Sequence, residues 1–272
     1  ARLWMPNAPL EVSHQGIWYG LPIRTDIRGI FVNIDLLEQG GVDPYTPMAA
    51  LSDLNVLARK LTRWNEAGEV DVLGFSPVGN NINELYWMLA FGGQVFDWDI
   101  YRLTLADFPE NRAALDWMIE YAETYGARNT GTVQRFREGK LAVHVNSTSQ
   151  LEGLPLTAPE VRWWTHPMVY EPGGVNPTHS SVIGTAIPTG AANLDAAKRF
   201  MLYLASKDAQ VLWYRLTRMP PMSLEALLEV FAEMSDPREI NLIEQWPETS
   251  ARLPLFERVQ KDPDYGYKTL LN

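Results

Sequence analysis

Pro188 divides this sequence into two kinds of chain. Ahead of it, short runs of β-branched and aromatic residues alternate with stretches of helical periodicity. After it the pattern is almost wholly helical, over about 193–205, 207–217, 223–234 and 238–246. A chain that alternates strands and helices must bury each strand under helices, so the first part reads as an α/β organisation with a helical segment behind it. Gly29-Ile30-Phe31-Val32 suits a buried strand, and the piece just before it, carrying Pro22, suits an edge or crossing strand. Asp35 to Gln39 reads as a short helix stopped by Gly40-Gly41.

Thr46-Pro47 has the form of a helix start, an oxygen-bearing cap followed by proline. Leu51, Leu54, Leu57, Ala58, Leu61 and Trp64 then fall on one face, and Gly68 ends the helix. A strand is expected at 72–75, a helix from about Asn83 to Phe91, and a longer one from about Pro109 to Tyr125. A short helix over 133–138 precedes a strand at 141–145, and further strands are expected at 161–164 and 182–187.

The charge and composition exclude several functions. A formal net charge of −10 repels a phosphate backbone and argues against general nucleic-acid binding. The absence of cysteine removes disulfides, thiolate chemistry and Cys-based zinc sites. No stretch approaches the roughly 20 apolar residues of a membrane span. Ala1-Arg2-Leu3-Trp4-Met5-Pro6 lacks the marks of a signal peptide, and the chain opens on alanine, so processing or truncation is expected to have removed what came before.

The usual catalytic signatures are missing: no nucleophile elbow, phosphate loop, dinucleotide fingerprint or metalloprotease helix occurs. None of the four histidines is paired at ligand spacing on a helix, so neither a metal nor a cofactor is expected. Asp97 and Asp99 are the nearest thing to a glycosidase carboxylate pair, and a polar turn accounts for them as well.

Polar groups gather instead where elements end. Asn80, Asn81 and Asn83 lie just ahead of Trp87, Asn146 to Ser149 follow a strand, and Glu171 to His179 form a Gly-rich loop. Ligands of open α/β folds bind at the carboxyl ends of strands. Amides, hydroxyls and indole rings placed there suit a hydroxyl-rich ligand, and the 10 tryptophans supply flat faces for stacking on sugar rings.

Several blocks, in order, resemble the extracellular solute-binding proteins of carbohydrate ABC transporters, the group that includes maltose-binding protein. Tyr19-Gly20-Leu21-Pro22, followed by Phe31-Val32-Asn33-Ile34-Asp35-Leu36-Leu37, is similar to the family's crossing strand and the segment after it. Gly40 to Thr46, Phe91-Gly92-Gly93-Gln94 and Asp195 to Leu204 resemble later blocks, and Phe136 to Val143 is similar to its Phe-x-x-Gly-Lys-x-Ala block.

The resemblance implies a two-lobed, type II periplasmic-binding-protein-like α/β fold whose N-terminal lobe is incomplete, with a ligand enclosed by hinge motion. It divides the chain into 1–24 plus 188–237 as the remnant of the N-terminal lobe, 25–187 as the C-terminal lobe, and 238–272 as a helical segment. It implies capture of a small polar solute, most simply a sugar, outside the cytoplasm for ABC transporter membrane subunits. It also implies a second chain over the incomplete lobe and a lipoprotein-like anchor ahead of the chain.

The ligand contacts so implied, with those read from the loops, are Asp26, Asn80, Asn81, Asn83, Trp87, Asp97, Ser147, Ser149, Gly174 and His179. Many members carry a Trp in the turn where this chain has Asn146-Ser147-Thr148-Ser149, and Trp18, Trp87, Trp98 or Trp163 is a substitute. Arg24 and Arg28 keep an anionic ligand open. A glycoside-active enzyme, or a truncated fold serving as sensor or scaffold, are the alternative readings.

Overall fold

The computed structural model describes residues 4–5, 8–14, 16–79, 85–97, 100, 102–126, 133–174, 176–178 and 180–245. The chain forms two compact units. Unit 1 comprises Ala1–Ile27 and His179–Asn272, and unit 2 is Arg28–Thr178.

Unit 1 opens with α1 (Ala8–Glu11) and the hairpin β1 (Ser13–His14) and β2 (Ile17–Trp18). β3 (Leu21–Asn33) runs through both units, its first half in unit 1. Unit 2 continues with α2 (Ile34–Gln39), α3 (Leu51–Leu61), β4 (Arg63–Trp64), β5 (Val70–Val72) and α4 (Leu85–Ala90). It goes on through β6 (Phe96–Asp97), β7 (Arg102–Leu103), α5 (Pro109–Tyr125), α6 (Val133–Arg137), β8 (Val143–Ser147), α7 (Gln150–Thr157) and β9 (Trp163–His166). Unit 1 resumes with β10 (Ser180–Thr185), α8 (Leu194–Leu204), α9 (Lys207–Thr217), α10 (Leu224–Glu233) and α11 (Pro237–Ile243).

β3 organises both sheets. In unit 2 its second half pairs antiparallel with β8 (Arg28 opposite Ser147, Val32 opposite Val143) and with β9 (Ile30 opposite His166). With neighbours on both sides its residues from Gly29 to Asn33 are buried, which is why that run carries no polar alternation until Asn33. Asn33 then caps α2, its Oδ1 accepting the Leu36 amide at 3.1 Å. In unit 1 the first half pairs with β10, from Leu21 opposite Thr185 to Ile27 opposite Ser180. Pro22 stands at the register shift in that ladder, where the missing N–H costs no bond.

The two compact units divide the chain at points other than the expected lobe boundaries. β10 was expected with the C-terminal lobe, but its only strand partner among the described residues is the unit 1 half of β3, so it belongs to unit 1. α11 also counts with unit 1 and not with a separate terminal segment. Residues 246–272 of that expected segment lie outside the described residues.

α3 begins at Leu51 and not at Thr46-Pro47. The Thr46 hydroxyl donates to the Asp43 carboxylate at 2.9 Å, closing a turn of its own. Asp53 Oδ2 instead accepts the amides of Ala49 (2.7 Å) and Ala50 (3.1 Å), so the first-turn carboxylate does the capping.

The unit 2 core includes an aromatic nest from Phe75, Trp87, Trp117 and Tyr121, with ring centroids 5.3–6.3 Å apart. The Trp117 indole and the Tyr121 hydroxyl both donate to Asn55 Oδ1 on α3, at 2.8 and 2.7 Å. The unit 1 core joins Met5 and Ile27 to Val211, Tyr214, Met222, Leu227 and Val230.

Candidate functional site

The end of β8 carries an unbroken run of hydroxyl and amide side chains, Asn146 to Gln150. β8 is buried along its whole length, so its polar residues must be paired within the protein or by a ligand. Asn146 Nδ2 lies 2.8 Å from His144 Nε2, and Asn146 Oδ1 accepts the Ser147 amide at 2.8 Å. An amide nitrogen only donates, so His144 Nε2 is the acceptor and the ring is neutral. Burial pushes the His144 pKa down to about 3, and the nearby Arg137 charge adds to the shift. The imidazole also stacks on Phe136, centroids 5.5 Å apart. His144 is thereby a fixed acceptor that orients Asn146, which in turn fixes the Ser147 backbone.

Ser147 Oγ and Ser149 Oγ are 2.6 Å apart, so the two hydroxyls are brought together. Between them Thr148 is fully buried, and its Oγ1 has no hydrogen-bond partner among the described residues. Gln150 Oε1, at the start of α7, is likewise buried without a partner. Leaving such groups unpaired costs about 1–3 kcal/mol each. The turn therefore holds hydrogen-bonding capacity that the described residues do not use.

Arg28, opposite Ser147 in the ladder, brings β3 to the same place. Thr178 clasps its backbone: Oγ1 accepts the Arg28 amide at 3.0 Å and donates to the Arg28 carbonyl at 2.5 Å. Asn176 Oδ1 accepts the Thr178 amide at 2.9 Å, and both Asn176 and Thr178 are buried. The sequence signal for this clasp was faint, since Asn-Pro-Thr reads as an ordinary loop.

The other expected contacts fall elsewhere. Trp87 is fully buried in the aromatic nest, with its indole N–H donated to the Pro77 carbonyl at 3.0 Å, so neither face is left for a ligand. Trp163 packs on Phe31 in the core, whereas Trp18 is exposed on β2. Asp97 Oδ1 accepts the Ile100 amide at 3.3 Å within the β6–β7 hairpin, a turn-closing role.

Gly174 lies where the loop after Glu171 crosses the end of α4. A Cβ there would sit 2.1 Å from the Ala90 carbonyl oxygen, so close packing requires the glycine. Asp26 lies on the unit 1 half of β3, opposite Ser181, and its charge favours the protonated form of Arg24. Burial lowers the Arg24 pKa, and the guanidinium lies 4.7 Å from the centre of the Trp213 ring. Asn80, Asn81, Asn83, Trp98, Asp99 and His179 lie outside the described residues.

Unit 2 also has a cavity of about 300 Å³ between α2, α3 and the loop joining them. Its polar groups are already used: Asp43 by Tyr45 and Thr46, Asp53 by Ala49 and Ala50, Lys60 by the Gly41 carbonyl, and His166 by the Pro44 carbonyl. What remains is an apolar hollow, unlike the turn after β8. Among the described residues no group of three His, Asp or Glu could hold a metal ion. No described helix is long and apolar enough to cross a membrane.

Comparison with known proteins agrees with this architecture. The chain is similar in fold to CpMnBP1, solved with mannobiose bound, at a TM-score of 0.81 and 21% identity, over 99% of this chain and 74% of that one. A solute-binding protein of Thermotoga lettingae, solved with α-D-tagatose, gives 0.76 and 19% over 98% and 74%. An ABC substrate-binding protein of Listeria monocytogenes, solved with cycloalternan, gives 0.75 and 18% over 95% and 68%. A search of curated protein sequences gives no match. The model of the bacterial extracellular solute-binding proteins matches residues 5–238, and the chain belongs to that family.

Proposed function

We propose that this protein captures a sugar or short oligosaccharide outside the cytoplasm and delivers it to the membrane subunits of an ABC transporter. The observation that carries the reading is the turn after β8. There Ser147 and Ser149 stand together, and Thr148 Oγ1 and Gln150 Oε1 have no partner among the described residues. Neutral hydroxyl and carboxamide groups match the donors and acceptors of a sugar without charge. Solved proteins of similar fold, holding mannobiose, tagatose and cycloalternan, support the same solute class.

Binding without catalysis is part of the proposal. A glycosidase needs two carboxylates flanking the bond, and the Asp97 carboxylate closes its own hairpin turn. A lipid anchor ahead of the chain, and a second chain against unit 1, complete the reading.

The test is a thermal-shift panel of mono- and oligosaccharides, polyols and sugar phosphates. A ligand at 100 times its Kd stabilises the fold by about 2.7 kcal/mol. One sugar class is expected to give a saturable shift that shrinks in Ser147→Ala and Ser149→Ala. A well-folded sample that shifts with no compound would favour the scaffold reading.

A further inference from the structure

Among the described residues of unit 1, Arg24 is the half-buried cation without a carboxylate partner. Arg218 and Arg238, also half-buried, stand 3.7 and 2.8 Å from the carboxylates of Glu239 and Asp236. Acidic residues outnumber basic ones by 33 to 23 in this chain, so carboxylates are not scarce. Arg24 instead meets two soft, uncharged groups. Its Nη1 donates to Met219 Sδ at 3.1 Å, and its guanidinium lies 4.7 Å from the centre of the Trp213 ring. A thioether is a weak acceptor, and a ring face attracts the charge without taking up the N–H donors. Asp26, two residues on along β3, favours the charged form of Arg24 but makes no ion pair with it.

Trp213 is unanswered in a second, independent way. An indole N–H usually finds an acceptor when buried. Trp213 Nε1 is buried and has no hydrogen-bond partner among the described residues. The spacing of α9 gives no sign of this, since it marks Trp213 only as one more helix residue.

The pair is also held in place. The Thr25 amide donates to the Pro220 carbonyl at 2.8 Å and the Met222 amide to the Ile23 carbonyl at 3.3 Å, which fixes the backbone on either side of Arg24. Stacking on the indole fixes the direction of the guanidinium. Both side chains are half-buried, so the pair faces solvent at its rim while Nε1 lies beneath the surface.

We propose that Arg24 and Trp213 form an oxyanion site in unit 1. The guanidinium fork takes the oxygens of a carboxylate or phosphate, and the indole N–H donates to one of them. The bound charge compensates a cation that burial has stripped of part of its water. Two sources share this chemistry: a free anion, and an acid group carried by the captured solute. The site needs no sugar at the turn after β8, so either reading can fail without the other.

The test is NMR of the tryptophan indole N–H signals of the protein in chloride buffer, with the Trp213 signal assigned through Trp213→Phe. The probes are inorganic phosphate, D-glucuronate, D-glucose 6-phosphate and, as the neutral control, D-glucose. The Trp213 signal is expected to move downfield and saturate with an anion and to stay in place with glucose. Movement with inorganic phosphate identifies a free anion as the ligand, and movement with only the two acidic sugars assigns the acid group to the solute. Arg24→Gln should raise the midpoint concentration roughly tenfold or more. Trp213→Phe keeps the stacking ring and loses the donor, and should raise the midpoint, read by thermal shift, roughly threefold or more. A Trp213 signal that none of the three anions moves overturns the proposal. So does equal movement with glucose, or a midpoint that both variants leave unchanged. A neutral sugar that binds while the Trp213 signal ignores every anion sinks this inference alone and leaves the sugar reading standing.

Discussion

Acid should weaken unit 2 through one identifiable proton. His144 is buried, accepts from Asn146 Nδ2 at 2.8 Å and has its pKa pushed down to about 3. In the unfolded chain the same histidine titrates near 6.5. The folded-state pKa is depressed, so the unfolded chain binds more protons between the two values. The His144 contribution is therefore fully present above about pH 6.5 and falls as pH drops toward 3.

One proton taken up on unfolding gives a limiting slope of about 1.4 kcal/mol per pH unit, or about 2.7 kcal/mol between pH 7.5 and 4.5. His166, also shifted down by burial, adds a slope of its own. The His144 share must therefore be read by difference. Urea unfolding of the wild type and of His144→Gln, at half-unit steps from pH 7.5 to 4.5, isolates it whatever the absolute stability of the variant. The wild type should lose about 2.7 kcal/mol more than the variant over that span. Parallel profiles would refute the argument, since they would mean that His144 is already protonable in the folded state.

Other consequences are as direct. Thr178→Val removes both side-chain bonds to the Arg28 backbone and should cost about 2–4 kcal/mol, a Tm loss of roughly 4–16 °C by calorimetry, whereas Thr178→Ser should keep most of the stability. Trp87→Phe removes the indole bond to Pro77 and some core volume, so it should cost about 1–3 kcal/mol in urea while leaving solute affinity within twofold. A tenfold affinity loss in that variant would return Trp87 to the ligand. Ser147→Ala or Ser149→Ala should weaken solute binding by roughly 2–10-fold in fluorescence titrations, the value of one neutral hydrogen bond.

The sequence made periodic elements plain and their partners obscure. α5 lies at Pro109–Tyr125, as its apolar spacing and terminal glycine require, and α8 to α11 also fall close to the expected helices, whereas α3 is confined to Leu51–Leu61 and Trp64, expected on its face, lies in β4. α7 was missed because Pro155 and Gly153 mask its period, although Pro155 sits where the helix is already ending. The pairing of β10 with the first half of β3 was not legible, because a strand's partner is a tertiary fact that its own residues do not encode.

At the candidate site, the place of Ser147 and Ser149 at the end of a strand was legible in the sequence. Trp87 was not, because a buried and a sugar-stacking indole look alike in a string of letters. The roles of His144 and Thr178 rest on contacts to Asn146 and Arg28 that only the folded register creates.

The central claim is that this chain binds a sugar and leaves it unchanged. Isothermal titration with the sugar that gives the thermal shift, followed by NMR of the recovered sugar, tests it most directly. The account predicts one saturable event at one sugar per chain, with a negative heat-capacity change and the sugar returned intact. No heat from any sugar, or recovery of a cleaved product, would contradict it.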